Sequence, residues 1–214
     1  MVSKKKAVEL VNKIIDLYPD AHCELLHTNA FELLIAVLLS AQSTDAGVNK
    51  VTPALFKTYP TPTEMSTADI NEIENYLRKI GLYKNKAKHV KELSTMLVTD
   101  FKSEVPSKYE DLIKLAGVGR KTANVVLSVW FNEPRIAVDT HVERVSKRLK
   151  LARIKDNVLE VEEKLMYLLP ESMWSKAHHA IIFFGRYHCT AKKPSCSTCP
   201  LFDSCGYAKK NDYL

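Results

Sequence analysis

Four of the five cysteines in this 214-residue chain lie within 17 residues near the C-terminal end. Their spacing is Cys189-x6-Cys196-x2-Cys199-x5-Cys205, whereas the fifth, Cys23, is far away in the sequence. Disulfide partners seldom cluster in this way, and a cytosolic chain would keep them reduced. Four thiols in one short segment therefore predict a metal site around which that segment must fold. Structural zinc and iron–sulfur clusters both accept four thiolates, although zinc ribbons usually have two CxxC pairs and this chain has one.

The remainder of the chain has the composition and periodicity of a helical protein. Only 6 of its 214 residues are glycine, well below the average of about 7%, which disfavours a turn-rich β architecture. Residues 31–39 are apolar almost all round, as in a central buried helix. A cap at Ser66 or Thr67 is predicted for a helix that reaches residue 80. The periodicity predicts an all-α protein, with further helices at 8–18, 48–59, 84–101, 107–115, 120–131, 140 onward, 158–169 and 173–187, and turns at 60–63 and 132–134.

No part of the sequence is suited to a membrane or to secretion. The longest uninterrupted apolar run, residues 33–39, has seven residues, whereas a spanning helix needs about 20. The first ten residues are basic but lack the hydrophobic segment and the small-residue cleavage site of a signal peptide. We therefore expect a cytoplasmic protein with no membrane contact.

Positive charge is concentrated in one segment of the chain. The formal net charge is +6, and residues 114–155 contain ten Lys or Arg against three Asp or Glu. The rest of the chain is close to neutral. A local basic patch is typical of proteins that bind a polyanion, most often nucleic acid. A solvated charged surface is the alternative.

Within the basic segment, residues 115–123 read Leu-Ala-Gly-Val-Gly-Arg-Lys-Thr-Ala and join two predicted helices. Gly117 and Gly119 permit a tight turn and a close approach of another chain to the backbone. The N–H groups that begin the next helix, at Arg120 and Lys121, would then form an anion site for a DNA phosphate. An ordinary helix–turn–helix corner is the structural alternative.

Asp139 follows a short apolar stretch and precedes a predicted helix. A carboxylate at this place can stabilise positive charge in a transition state, or it can simply cap the helix. Thr140 and Glu143 have the spacing of a capping box, which would leave Asp139 available for another task. His141 is expected to be a structural hydrogen-bonding histidine.

Together these residues closely resemble the endonuclease III family of DNA base-excision glycosylases. The resemblance rests on the helix–hairpin–helix at 115–127, on Asp139 placed eighteen residues after Lys121, and on the spacing of the four cysteines. The segment Ser-Ala-Gln-Ser-Thr-Asp at 40–45 also matches. The likeness covers essentially the whole chain. One departure is Ala116, where the family hairpin usually has proline.

The resemblance implies a two-domain helix–hairpin–helix glycosylase fold. A six-helix barrel domain would span residues 24–133. Residues 1–23 and 134–214 would form a second helical domain that ends in the cluster loop. Double-stranded DNA would bind across a cleft between the two domains, with the damaged nucleotide flipped out of the stack.

The resemblance also implies the chemistry. Lys121 would attack C1′ and form a Schiff base. Asp139 would stabilise the developing charge at C1′ and assist the deprotonation of Lys121. Only an amine can form this iminium, so Lys121 implies a bifunctional glycosylase/AP lyase. Such an enzyme removes oxidised pyrimidines, such as thymine glycol, and cuts the strand 3′ to the abasic site by β-elimination. DNA contacts are implied for seven further residues: Gln42 and Leu82 as wedges, and Gly117, Gly119, Arg120, Lys192 and Lys193 at phosphates.

The family carries a [4Fe–4S] cluster, which the resemblance places on Cys189, Cys196, Cys199 and Cys205. Its role would be to hold the loop and present Lys192 and Lys193 to phosphate. The partner would be duplex DNA with a damaged pyrimidine or an abasic site, and the enzyme would act as a monomer at the nucleoid.

Three alternatives remain at this point. An adenine glycosylase shares the cluster but usually lacks the lysine and carries an additional C-terminal domain. A non-catalytic DNA-binding module would not need Lys121 and Asp139. A helical adaptor stabilised by zinc would be colourless, whereas an iron–sulfur protein is brown.

Overall fold

The computed structural model describes residues 1–207 and 210–213, and this part of the chain is helical and contains no β-strand. The all-α prediction is therefore confirmed. No helix in the described part is both long and apolar enough to cross a membrane. The α-helices are α1 (Lys4–Leu17), α2 (Ala30–Leu39), α3 (Asp45–Asn49), α4 (Thr52–Thr58), α5 (Pro62–Thr67), α6 (Ile70–Leu77), α7 (Tyr83–Asp100), α8 (Tyr109–Leu112), α9 (Arg120–Val129), α10 (Thr140–Arg148), α11 (Val158–Leu168) and α12 (Trp174–Phe183).

The helices form two compact units. One unit is Glu24–Asn132 and contains α2 to α9. The other combines Met1–Cys23 with the segment that begins at Glu133, so that it contains α1 and α10 to α12.

The unit Glu24–Asn132 is built around α2. Asn29 caps this helix by accepting a hydrogen bond from the Glu32 N–H, and every residue from Leu33 to Leu39 is buried. Helices α7 and α9 both pack against α2, and α5 and α6 pack against α7. Burial of one Leu or Ile side chain contributes about 1.5–3 kcal/mol, so this apolar run fixes the helix at the centre of the unit.

The other unit has its own core, in which the apolar face of α1 packs against α12 and α11. Leu10 and Ile14 of α1, Val145 of α10, and Leu165 of α11 have no exposed surface. After α12 the chain continues through a π-helical turn at Phe184–His188, which packs on α10. The cysteine-rich segment follows directly.

Residues 48–67 depart from the predicted pattern. The single helix predicted at 48–59 is two helices, because Pro53 can occupy only the first turn of α4. The predicted turn at 60–63 was wrong, since Thr61 and Glu64 form a capping box and α5 begins at Pro62. The following helix is capped by Asp69 rather than by Ser66 or Thr67. The pattern Thr-x-x-Glu with proline at the first helical position was the available signal.

Candidate functional site

The hairpin between α8 and α9 depends on Gly117. Its φ of +73° lies in the left-handed region, and a Cβ at this position would lie 3.0 Å from His89 Cβ and 3.0 Å from Leu38 Cδ1. Both the conformation and the space therefore require glycine. Gly119 differs, because its backbone is extended and a Cβ there would meet nothing within 4 Å. Because Gly119 has no side chain, the surface at the start of α9 stays open to solvent.

The N-terminus of α9 presents backbone N–H groups and positive charge to solvent. Gly119 is its N-cap, no side chain caps it, and its first backbone hydrogen bond runs from the Ala123 N–H to the Gly119 carbonyl. Gly119, Arg120 and Lys121 are all exposed. The Arg120 guanidinium lies 5.8 Å from the centre of the Tyr109 ring and donates to its hydroxyl at 3.4 Å. A helix end of this kind attracts anions.

Two exposed turns in the same unit hold Gln42 and Leu82. Gln42 follows α2 with a φ of +54°, and Leu82 precedes α7 with a φ of +58°. Leu82 is 56% exposed although its side chain is apolar. A Cβ on Gly81 would lie 3.7 Å from the Gln42 carbonyl oxygen, so the two turns approach to van der Waals distance. Left-handed conformations are uncommon for residues other than glycine and often mark functional sites.

In the other unit, Asp139 caps α10. Its Oδ1 accepts hydrogen bonds from the His141 and Val142 N–H groups, both at 2.8 Å, and its Oδ2 lies 3.0 Å from His141 Nδ1. The expected capping box was wrong, because Asp139 fills the capping position and Thr140 is the first residue of the helix. The prediction that His141 is a hydrogen-bonding histidine is confirmed.

The same contacts keep Asp139 ionised. Burial raises the pKa of this carboxyl, but the hydrogen bonds from His141 and Val142 and the nearby imidazoles of His141 and His178 outweigh that effect. The result is a pKa of about 2. Asp139 is therefore a fixed negative charge at neutral pH.

The cysteine-rich segment surrounds one cavity. Cys189, Cys196, Cys199 and Cys205 all line it, and none of them forms a disulfide. Among the described residues, no three His, Cys, Asp or Glu side chains are placed to hold a single metal ion. A structural zinc and an iron–sulfur cluster both accept four thiolates, so this donor set is compatible with either group. Burial, together with the charges of the other three thiols, raises the pKa of the Cys199 thiol, and cationic iron would reverse this effect.

Two arginines of α10 attach this segment to the helix that Asp139 caps. Arg148 donates to the Thr190 carbonyl at 2.8 Å and to Cys189 Sγ at 3.2 Å, and its guanidinium lies 3.9 Å from the centre of the Tyr207 ring. Arg144 donates to the Cys189 carbonyl at 3.2 Å and to the carbonyl of Gly185, in the preceding π-helical turn, at 2.7 Å. Neither arginine is predicted from the sequence as part of the site, although their spacing of four places them on one face of α10.

The residues predicted to contact DNA are all at the surface. In the unit Glu24–Asn132, Gln42 and Leu82 lie on adjacent turns, and the hairpin glycines lie beside Arg120. Lys192 and Lys193, the loop lysines, are exposed between the first two cysteines.

Comparison with known proteins gives this geometry a family. The model of the HhH-GPD superfamily base excision DNA repair proteins matches residues 35–171, and the iron–sulfur binding domain of endonuclease III matches residues 189–205. The endonuclease III of Bacillus subtilis is 52% identical over 99% of this chain and 97% of that protein. The chain belongs to the endonuclease III family.

Solved structures of endonuclease III agree with this assignment. A trapped covalent intermediate of endonuclease III with DNA, an estranged-adenine complex, has a TM-score of 0.96 and 53% identity over 99% of this chain and 100% of that one. A non-covalent endonuclease III–DNA complex has a TM-score of 0.96 and 52% identity, and covers both chains completely.

Family membership confirms the fold, the class of enzyme and the cofactor. The chain is a DNA glycosylase with AP lyase activity that acts on damaged bases in base-excision repair. It carries an iron–sulfur cluster near its C-terminal end, identified with the [4Fe–4S] cluster of the family. The zinc adaptor, the adenine glycosylase and the non-catalytic module are set aside.

Proposed function

We propose that this enzyme uses Lys121 as its nucleophile on oxidised or ring-saturated pyrimidines, such as thymine glycol, in duplex DNA. The observation that carries the proposal is an exposed lysine in the first turn of α9, at a helix end that no side chain caps. A phosphate bound at that helix end would bring the sugar of the adjacent nucleotide to the amine. The similar endonuclease III that was trapped covalently with DNA supports a nucleophilic mechanism.

The proposed reaction balances without an added oxidant or reductant. The neutral Lys121 amine attacks C1′, the glycosidic bond breaks, and the base leaves with its electron pair and takes up a proton. The sugar ring opens to an iminium between Lys121 and C1′, which acidifies the C2′ proton. Loss of that proton expels the 3′ phosphate by β-elimination, and water then releases the lysine.

Asp139 is proposed to act through its charge. A carboxylate with a pKa of about 2 is a weak base but a permanent anion, so it stabilises the positive charge that develops at C1′ as the base leaves. Its hydrogen bonds with His141 and Val142 fix its orientation before the substrate arrives.

DNA contacts are proposed at three places. The hairpin of Gly117, Gly119 and Arg120 binds a phosphate through backbone N–H groups and positive charge. Gln42 and Leu82 fill the space that the flipped nucleotide vacates. The loop lysines bind phosphate beside the cluster. The enzyme is proposed to work as a monomer at the nucleoid in the cytoplasm.

The test compares Lys121→Gln with wild type on a duplex that contains thymine glycol. Lys57→Gln is the matched control, because Lys57 is exposed on α4. We expect Lys121→Gln to abolish strand cleavage while DNA binding is largely kept, and we expect Lys57→Gln to behave as wild type. Full lyase activity in Lys121→Gln would overturn the proposal. A duplex with an undamaged thymine, which should not be cleaved, tests the substrate class.

A further inference from the structure

Lys86 is a buried lysine with an unusual environment. It lies in the first turns of α7, is only 4% exposed, and donates from Nζ to Ser43 Oγ at 2.7 Å. Lysine is almost never fully buried unless it is paired. Within the described part of the chain, its ammonium donates to a neutral hydroxyl and forms no ion pair with a carboxylate. Burial accordingly lowers the pKa of Lys86. A lysine side chain ordinarily reaches solvent, so the burial of Lys86 needs a structural reason.

The two ends of Lys86 attach to the two turns already described. Its backbone N–H donates to the Leu82 carbonyl at 3.0 Å, which is the first hydrogen bond of α7. Its ammonium reaches Ser43, the residue after Gln42 and 43 positions earlier in the chain. A single residue therefore connects the Leu82 turn through the main chain with the Gln42 turn through its side chain.

Both turns need such support. Gln42 and Leu82 have left-handed backbones, and such a conformation persists in residues other than glycine only where the surrounding structure holds it. Ser43 also lies just beyond the C-terminus of α2, where the helix dipole favours a cation. The ammonium is thus placed where its charge stabilises the end of α2 and the turn that follows.

We propose that Lys86 is a positioning residue that holds the Gln42 and Leu82 turns in register, so that both side chains enter the duplex together at the lesion. This inference rests on the wedge role proposed for Gln42 and Leu82. Extrusion of a nucleotide costs unstacking and unpairing free energy, and this cost is lowest for a base that is already unpaired. Loss of register should therefore slow repair of a paired lesion much more than repair of an unpaired one.

The experiment measures single-turnover base release from thymine glycol opposite adenine and from thymine glycol opposite an abasic analogue. Lys86→Met removes the charge and the hydrogen bond while keeping the length of the side chain. We expect its rate on the paired lesion to fall at least about tenfold, and its rate on the unpaired lesion to stay within about twofold of wild type. Lys86→Arg, which keeps a cationic donor, should recover most of the loss.

Lys91→Met is the matched control. Lys91 is a half-buried lysine on the same helix, and it donates to the Ala68 carbonyl at 2.7 Å, away from both turns. We expect its paired-to-unpaired rate ratio to equal that of wild type. Ser43→Ala removes the Lys86 contact with a smaller change, and should lower the ratio at least about threefold even if Lys86→Met does not fold.

Two outcomes separate the inference from the function on which it rests. The double variant Gln42→Ala/Leu82→Ala should lower the paired-to-unpaired rate ratio. If it does so but neither Ser43→Ala nor a folded Lys86→Met lowers this ratio, the positioning role of Lys86 is wrong. If the double wedge variant also leaves the ratio unchanged, the wedge role itself fails.

Discussion

Substitution of Asp139 by asparagine separates the helix-capping role of this carboxylate from its proposed role in catalysis. Asparagine caps helices about as well as aspartate, so α10 should keep its N-terminus. The variant loses the negative charge, and an amide NH2 replaces the oxygen that faces His141 Nδ1. We therefore expect a folded protein in which base release is slower by about a hundredfold or more, the usual cost of removing one electrostatic contact to a transition state.

The cost in stability follows from the pKa. Each pKa unit corresponds to about 1.4 kcal/mol, and the pKa of Asp139 is lowered from 3.8 to about 2 in the folded protein. The ionised carboxylate thus stabilises the fold by about 2 kcal/mol at neutral pH. Because the folded pKa is the lower one, this contribution is complete above pH 3.8 and is lost only as the pH falls toward 2. In a chain of this size, loss of this contribution in Asp139→Asn corresponds to a melting temperature lower by about 6 °C.

The assay is thermal unfolding of both proteins from pH 8 to pH 5, together with single-turnover base release at each pH. The wild type should remain the more stable protein throughout, and the difference in melting temperature should not shrink toward pH 5, because Asp139 stays ionised over this range. Asp139→Ala, which also removes the cap, should cost about 1 kcal/mol more. A difference that shrinks between pH 8 and pH 5, or an Asp139→Asn variant with nearly wild-type base release, would refute the reasoning.

Three further results are expected. Gly117→Ala should lower the free energy of unfolding by about 1–3 kcal/mol in chemical denaturation, because Gly117 has a φ of +73° and a Cβ there would meet neighbouring atoms at 3.0 Å. Gly119→Ala should change this free energy little, because a Cβ at Gly119 would meet nothing within 4 Å. Equal effects of the two substitutions would contradict the hairpin geometry. Cys199→Ser should lose the brown colour and the iron, whereas Cys23→Ser should keep both, and an iron content unchanged in Cys199→Ser would contradict the assigned ligand set. DNA affinity should fall steeply with salt, and replacement of both loop lysines by glutamine should reduce the slope of log K against log salt by about 2; an unchanged slope would remove these lysines from the interface.

Much of the helical fold could be predicted because its signals are local. The run 33–39 contains leucine and alanine with few β-branched residues, and α2 is a buried helix. The departures arise where two local signals compete. Proline at 62 predicted a turn, yet proline is also favoured at the first position of a helix, and α5 begins there. Asp139 and Thr140 are both good caps, and only the backbone shows that Asp139 is used.

The missed parts of the site depend on contacts that are distant in sequence. Arg148 reaches Thr190 across 42 positions, and Lys86 reaches Ser43 across 43. In the sequence both residues resemble ordinary surface charges on a helix. Their partners appear only when the cysteine-rich segment has folded against α10 and the turn after α2 has folded against α7. No period or spacing within one element contains that information.

Identification of the trapped residue tests the central claim most directly. The enzyme is incubated with a duplex that contains thymine glycol, the Schiff base is reduced with borohydride, and the digested adduct is mapped by mass spectrometry. The account predicts a single deoxyribose-derived adduct on Lys121 and no adduct in Lys121→Gln. An adduct on another amine of wild type, or undiminished trapping by Lys121→Gln, would contradict it.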